Sequence, residues 1–179
     1  MHFLILSTIA VGFMAFAALT SAACIDDQSA SKLATAFGTL ISAYNKTVAD
    51  TIIASSFIDY SESINTLKNS GCTGPNALTG PTFTSRSGFE TESAAQPAVP
   101  FKVLNYWFNC NNVIVRWQSA QSPQPVIGIS VLQVIPASTS YKWAINEIWV
   151  EFDSAAWLVN LGIFKPSCSS SKRMEKWIA

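Results

Sequence analysis

The segment from residue 101 to residue 153 constrains the fold most, because it reads as four long β-strands with almost no chain between them. The four segments are rich in β-branched and aromatic residues and cover 101–110, 112–120, 125–137 and 141–153. Only a few residues separate each segment from the next, and connections of this length join antiparallel neighbours. The sequence therefore predicts a four-stranded antiparallel meander.

The chain before residue 101 carries the periodicity of helices. Residues 29–44 predict a helix with Ser29 as its N-cap, because five apolar side chains share one face. These five are Leu33, Phe37, Leu40, Ile41 and Tyr44. The other predicted elements are helices over 46–54, 85–96 and 154–158, the last ended by Gly162, a strand over 57–64 and a loop over 69–82. The predicted fold class is α+β, with N-terminal helices packed on the antiparallel sheet.

The first 23 residues predict a cleaved secretory signal. Residues 3–19 are almost all apolar, and the small residues of 20–23 suit a signal peptidase. We therefore expect a secreted, extracellular protein with no membrane segment after cleavage. A single domain is expected over 24–168, followed by a flexible tail over 169–179.

The four cysteines predict two disulfides, because their number is even and the chain is expected to be secreted. Three pairings are open. We favour Cys72–Cys110 together with Cys24–Cys168, since the second bond would join the two chain ends. Asn45 begins the sequon Asn-Lys-Thr and is the predicted glycosylation site.

Charge and histidine content exclude several kinds of function. Lys and Arg number 11, as do Asp and Glu, and no basic stripe is present, so a nucleic-acid partner is not expected. The single histidine is His2, inside the predicted signal. Catalytic triads, Cys–His nucleophiles and histidine-ligated metals are therefore excluded, and we expect neither a metal nor a cofactor.

The segment FIDYSESI, residues 57–64, supplies the catalytic candidates Asp59, Tyr60 and Glu62. Strand alternation places Asp59 on the same face as Phe57 and Ser61, and either face could be the inner one, because both carry an apolar residue. A cavity-facing Asp59 would have a raised pKa suited to a general base. We prefer the alternative, an exposed or helix-capping carboxylate, because charged residues are mostly exposed.

The strand over 141–153 carries two further carboxylates, Glu147 and Glu151. Simple alternation places both on one face with Trp143, and the two lie about 13 Å apart along a strand. That separation is too long for a glycosidase pair, which needs about 5–9.5 Å. A structural ion pair between Arg116 and one of these glutamates across the sheet is the preferred interpretation.

The order of elements, together with four segments, resembles the secreted fungal NTF2-like (SnoaL-like) domain proteins. The segments are AYNKTVADTIIASSFIDYSESIN (43–65), GPTFTSRSGF (80–89), VLNYWFNCNNVIVRW (103–117) and INEIWVEFDSAAWLVNLG (145–162). The resemblance implies an α+β cone, in which a curved sheet wraps around helices and encloses a mostly apolar cavity. The predicted ligand-binding residues are Phe57, Tyr106, Trp117 and Trp143. The resemblance also implies that a dimer through the sheet could cover outward-facing tryptophans.

This sequence matches the catalytic residues of the enzymatic relatives in this family only in part. The tyrosine of ketosteroid isomerases falls near Leu40, their base near Ser61, and their second carboxyl within 128–132, which contains none. Of the Asp-Arg-Asp arrangement of limonene-epoxide-hydrolase-like relatives, Asp59 and Arg116 supply only two members. The leading hypothesis is therefore non-catalytic binding of a small apolar molecule. The alternatives are a cavity enzyme of isomerase, cyclase or dehydratase type with a carboxylate base, and a homodimeric interaction protein.

Overall fold

The structure, a computed structural model of the chain, describes residues 23–70 and 75–166. Within these residues five helices pack on a six-stranded, mostly antiparallel sheet, which confirms the predicted α+β class. The elements in chain order are α1 (Asp27–Ser42), α2 (Lys46–Ile52), β1 (Ile53–Tyr60), α3 (Glu62–Asn69), β2 (Pro81–Phe83), α4 (Arg86–Ala95), β3 (Lys102–Phe108), β4 (Asn112–Ser119), β5 (Val126–Pro136), β6 (Trp143–Phe152) and α5 (Ser154–Asn160). The predicted signal, Cys72, Cys168 and the predicted tail lie outside the described residues.

The sheet has the order β2-β1-β6-β5-β4-β3. Four of its six strands form the predicted meander, since β3, β4, β5 and β6 pair antiparallel in sequence order. The sequence did not predict that β1 pairs parallel with β6, which makes the last described strand an interior strand. Helix α1 packs against β3 and β4, and α4 packs against β1 and β2. No helix of residues 23–70 and 75–166 is long and apolar enough to cross a membrane.

Two helix starts differ from the predictions. Helix α1 is capped by Asp26 rather than by Ser29, because the Asp26 carboxylate accepts the Ser29 N–H at 2.7 Å. Helix α3 was not predicted, because the alternation of side chains in residues 57–64 predicts a strand that continues to Ile64. The strand ends at Tyr60, and the Ser61 hydroxyl accepts the Ile64 N–H at 2.9 Å, which begins the helix.

The favoured disulfide pairing is wrong. Cys24 bonds to Cys110 across 86 positions of sequence, with their Cα atoms 4.2 Å apart. The physical reason is that the chain entering α1 runs beside the β3–β4 turn, where the Ile25 N–H donates to the Cys110 carbonyl at 3.0 Å. The expectation of a second disulfide stays a prediction, because Cys72 and Cys168 lie outside the described residues.

Candidate functional site

Trp117 is buried on the inner face of the sheet. It is 3% exposed, and its indole N–H donates to the Ser130 hydroxyl at 2.9 Å. Its ring stacks on Phe101 with centroids 5.0 Å apart. Gly128 lies beside it on β5, and a Cβ atom there would come within 2.2 Å of the indole. The inner face of the sheet is therefore shaped around this tryptophan, where the resemblance implied a ligand.

The other predicted ligand-binding residues also have structural contacts. Phe57 is fully buried and packs edge-on against Phe89, with centroids 5.5 Å apart. Trp143 is buried in the same core. The Tyr106 hydroxyl donates to the Asp27 carboxylate at 2.9 Å and so fastens β3 to α1.

Two depressions of the surface lie elsewhere. One, of about 490 Å³, lies between α1 and the β5–β6 turn and is lined by hydroxyl residues, Lys32 and Tyr141. The other, of about 530 Å³, lies between α3 and Leu158 of α5. Neither is lined by any of the four predicted ligand-binding residues, and neither contains Asp59.

Asp59 is buried at the end of β1, so the preferred interpretation as an exposed or helix-capping carboxylate is wrong. Its side chain shares a face of β1 with Phe57, as alternation predicted, and the structure shows that this face is the inner one, since the residue is only 3% exposed. Burial raises its pKa to about 7; Lys68 opposes this shift and Glu151 adds to it. Among the described residues its Oδ1 has no hydrogen-bond partner.

The structure does not bring Tyr60 and Glu62 together with Asp59. Tyr60 points to the opposite face of β1, where its ring stacks on Trp149 with centroids 6.3 Å apart. Glu62 is the exposed first residue of α3. The three catalytic candidates are therefore neighbours in sequence that face three different environments.

The preferred ion pair between Arg116 and a glutamate is not present among the described residues. Ile129 of β5 stands between Arg116 and Glu151 in the cross-strand register. Arg116 donates to the Asn105 side chain at 3.3 Å. Glu151 accepts the N–H groups of Glu62 at 2.8 Å and Ser63 at 3.0 Å, together with the Ser63 hydroxyl. It therefore neutralises the positive end of α3.

Glu147 and Glu151 do share the outer face of β6 with Trp149, but Trp143 does not. A β-bulge at Asn146 interrupts the pairing with β5, where the register passes from Glu147 to Ile145. Because a bulge adds one residue to one strand, it reverses which side chains face the core. Trp143 therefore turns inward, contrary to the prediction from simple alternation.

The outer face of the sheet carries a continuous line of apolar side chains, which we call the outer apolar row. Cross-strand register aligns its five members across five strands: Tyr60, Trp149, Val131, Ile114 and Trp107. Trp107 is 52% exposed and Trp149 is 40% exposed. Ile127, Ile129 and Ile135 extend this surface along β5, and all three are exposed. Antiparallel sheets with one hydrated face normally alternate apolar and polar residues, so this face is unusually apolar.

Two further sequence predictions concern the glycosylation site at Asn45 and metal binding. Asn45 is exposed and caps α2, with its Oδ1 accepting the Val48 N–H at 3.1 Å. Over residues 23–70 and 75–166, no group of three or more His, Cys, Asp or Glu is arranged to hold a metal ion.

The fold and its sequence define an NTF2-like domain. The family model for the NTF2-like domain matches residues 23–164, and the chain belongs to this family. No functionally curated protein matches the sequence.

Solved structures with the same fold come from several bacteria. A SnoaL-like protein of unknown function from Burkholderia thailandensis E264 is 10% identical, with a TM-score of 0.54, and the match covers 73% of this chain and 98% of that one. A protein with a ketosteroid isomerase-like fold from Catenulispora acidiphila DSM 44928, in complex with trimethylamine, is 14% identical, with a TM-score of 0.50 and coverage of 75% and 98%. At such identities the likeness shows the fold alone.

Proposed function

We propose that this NTF2-like protein is a secreted, non-catalytic interaction protein that works as a homodimer through the outer face of its sheet. The observation that carries the proposal is the outer apolar row, which crosses five adjoining strands and exposes two tryptophans. Exposed apolar surfaces of this kind mark protein contacts, and aromatic side chains are enriched in them. On the inner face, by contrast, Trp117 is buried against Gly128 of β5.

The charges on this face are complementary to those on the same face of a second copy of the chain. In the register of the sheet, Ile129 is flanked by Arg116 on β4 and Glu151 on β6. A two-fold axis running along β5 would place Arg116 of one copy opposite Glu151 of the other, with the isoleucines of β5 between them. Such a self-complementary patch is what an isologous dimer requires.

Analytical ultracentrifugation of the chain from Cys24 onward tests this proposal. We expect the mass of a dimer at micromolar concentration and the mass of a monomer for Ile129→Asp. The matched control is Leu161→Asp, which changes an equally exposed side chain beyond α5 and should remain a dimer. A monomeric wild-type protein, or dissociation by the control alone, would refute the proposal.

Binding of a small, largely apolar molecule inside the fold is the second candidate function. Asp59 favours it, because a buried Oδ1 without a partner would be satisfied by a hydrogen-bond donor on such a molecule. Native mass spectrometry before and after organic extraction tests this function. A co-purifying mass that disappears on extraction, and that is not retained by Asp59→Ala, would support it.

A cavity enzyme that uses Asp59 as its base is the remaining alternative. The raised pKa of Asp59 suits a base, but Tyr60 points away from it and so cannot assist it. If a co-purifying molecule is found, its conversion by the wild-type protein but not by Asp59→Asn would identify an enzyme.

Secretion and glycosylation are part of the proposal. The apolar segment of residues 3–19 supports a cleaved signal, and exposure of Asn45 supports a glycan there. The cap of α2 uses only the Asn45 Oδ1, so attachment of a glycan at Nδ2 is compatible with the helix. Intact-mass analysis of the exported protein, with and without glycosidase, checks both; Thr47→Ala should remove the glycan.

A further inference from the structure

Contacts at both ends of helix α3 hold the helix near the buried Asp59. At its start, the Glu151 carboxylate accepts two backbone N–H groups of the first turn. Near its other end, the Lys68 ammonium donates to Glu92 of α4 at 2.8 Å and lies 4.4 Å from the ring centroid of Phe83. The helix is therefore tied to β6 by the Glu151 carboxylate and by the Ser63 hydroxyl, which bonds the Phe152 backbone. The buried Asn65 side chain ties it to the carbonyls of Leu78 and Gly80, and the Lys68–Glu92 ion pair ties its far end to α4.

Asp59 lies where these contacts converge. Phe83, under the Lys68 ammonium, is the cross-strand partner of Asp59 on β2. Asp59 is the buried carboxylate whose Oδ1 lacks a partner among the described residues. A carboxyl group in this position is tolerated while it is protonated and neutral, but its ionised form requires a nearby cation.

The charges that act on Asp59 come from α3 and from β6. Lys68 of α3 lowers its pKa and Glu151 of β6 raises it. Strand β2 carries no charged residue. On α4, Glu90 lies within ion-pair distance of Lys46 and Arg86, and Glu92 is bound to Lys68. Lys68 is therefore the cation of the described residues that an ionised Asp59 would attract.

We propose that α3 is a proton-responsive strap, in which loss of the Asp59 proton to solvent turns Lys68 from Glu92 toward Asp59 and detaches α3 from α4. The closed form contains neutral Asp59 and the Lys68–Glu92 ion pair. The open form contains an Asp59–Lys68 ion pair and a released Glu92. Because one proton separates the two forms, the opening equilibrium depends on pH.

Hydrogen exchange of the α3 amides between about pH 5 and pH 7 tests the strap. After correction for the intrinsic exchange rate, we expect the opening equilibrium to rise by roughly tenfold per pH unit in the wild-type protein. Asp59→Asn, which cannot ionise, should keep α3 protected across this range. Glu92→Gln, which removes the ion pair, should leave α3 poorly protected even at the acidic end.

The strap is overturned if Asp59→Asn shows the same pH dependence as the wild type, or if wild-type α3 is unaffected by pH. Should Asp59→Asn fail to fold, carbon NMR of the wild-type protein replaces it. The Asp59 carboxyl signal and the α3 amide signals must then shift with one common midpoint. Separate midpoints would overturn the proposal.

Discussion

The two faces of the sheet use the same residue type in opposite ways. Trp117 and Trp143 face inward and are almost fully buried, whereas Trp107 and Trp149 face outward and are about half exposed. On the inner face of β5, Gly128 and Ser130 make room for Trp117. The outer face of the same strand carries isoleucines that nothing in the described chain covers. Aromatic content alone therefore does not distinguish a core from an exposed face; the size of the neighbouring residues does.

The largest expected effect comes from removing the inner tryptophan. Trp117→Ala should lower the free energy of unfolding by about 3–5 kcal/mol, because it leaves a large cavity and an unpaired Ser130 hydroxyl. Trp107→Ala on the outer face should cost about 0.5 kcal/mol. Urea unfolding of both variants in the monomeric Ile129→Asp background measures the difference. Equal losses would show that the two faces do not differ as described.

Asp59, on the inner face, should make the stability of the folded protein depend on pH. Its pKa in the folded state, about 7, lies above its ordinary value of 3.8, so the folded protein binds a proton that the unfolded chain releases. This contribution to stability is full below about pH 4 and is lost as the pH rises to about 7. Asp59→Asn should therefore stabilise the protein by about 2–4 kcal/mol at pH 8 and not at pH 4. Glu147→Gln on the outer face is the control that removes a charge without this effect.

The space around Gly128 is too small for even one added methyl group. Gly128→Ala should destabilise the protein by about 1–3 kcal/mol, because the new Cβ overlaps the Trp117 ring. Combining it with Trp117→Phe should recover part of this loss, since the smaller ring leaves room for the methyl group. Thermal unfolding of the single and double variants tests this, and strictly additive losses would contradict it.

A smaller effect than these is expected for the stacked pair on the outer face. Trp149→Ala removes the ring that stacks on Tyr60 and should cost about 0.5–1.5 kcal/mol in the monomer. The same change should weaken the proposed dimer, which sedimentation would register as a larger monomer fraction. A loss of stability as large as that of Trp117→Ala would mean that Trp149 belongs to the core.

Much of the fold could be predicted because its elements have strong local periodicity. Helices α1, α2 and α4 and the four meander strands lie within a few residues of their predicted bounds. Helix α3 was missed because its cap residue, Ser61, also continues the alternation of β1. The parallel pairing of β1 with β6 was not predicted, since it joins segments that are distant in sequence.

The candidate site was less predictable for physical reasons. Alternation grouped Asp59 with Phe57 correctly but left open which face is the inner one, and the burial of that face depends on α3, which was not predicted. The bulge at Asn146 changes the facing of Trp143 without leaving a Gly or Pro in the sequence. The pairing of Cys24 with Cys110 depends on which loops meet in space, and cysteine spacing carries no such information.

The interior position of β6 has a consequence for how the protein is made. Among the described strands, β1 pairs with β2 and β6 alone, and β6 is the one of them that is synthesised last. A chain that stops before Trp143 lacks the strand that joins β1 to the meander. The pairing of β1 with β6 therefore waits until residues 143–152 have been made, which places it among the latest long-range contacts of the sheet to form.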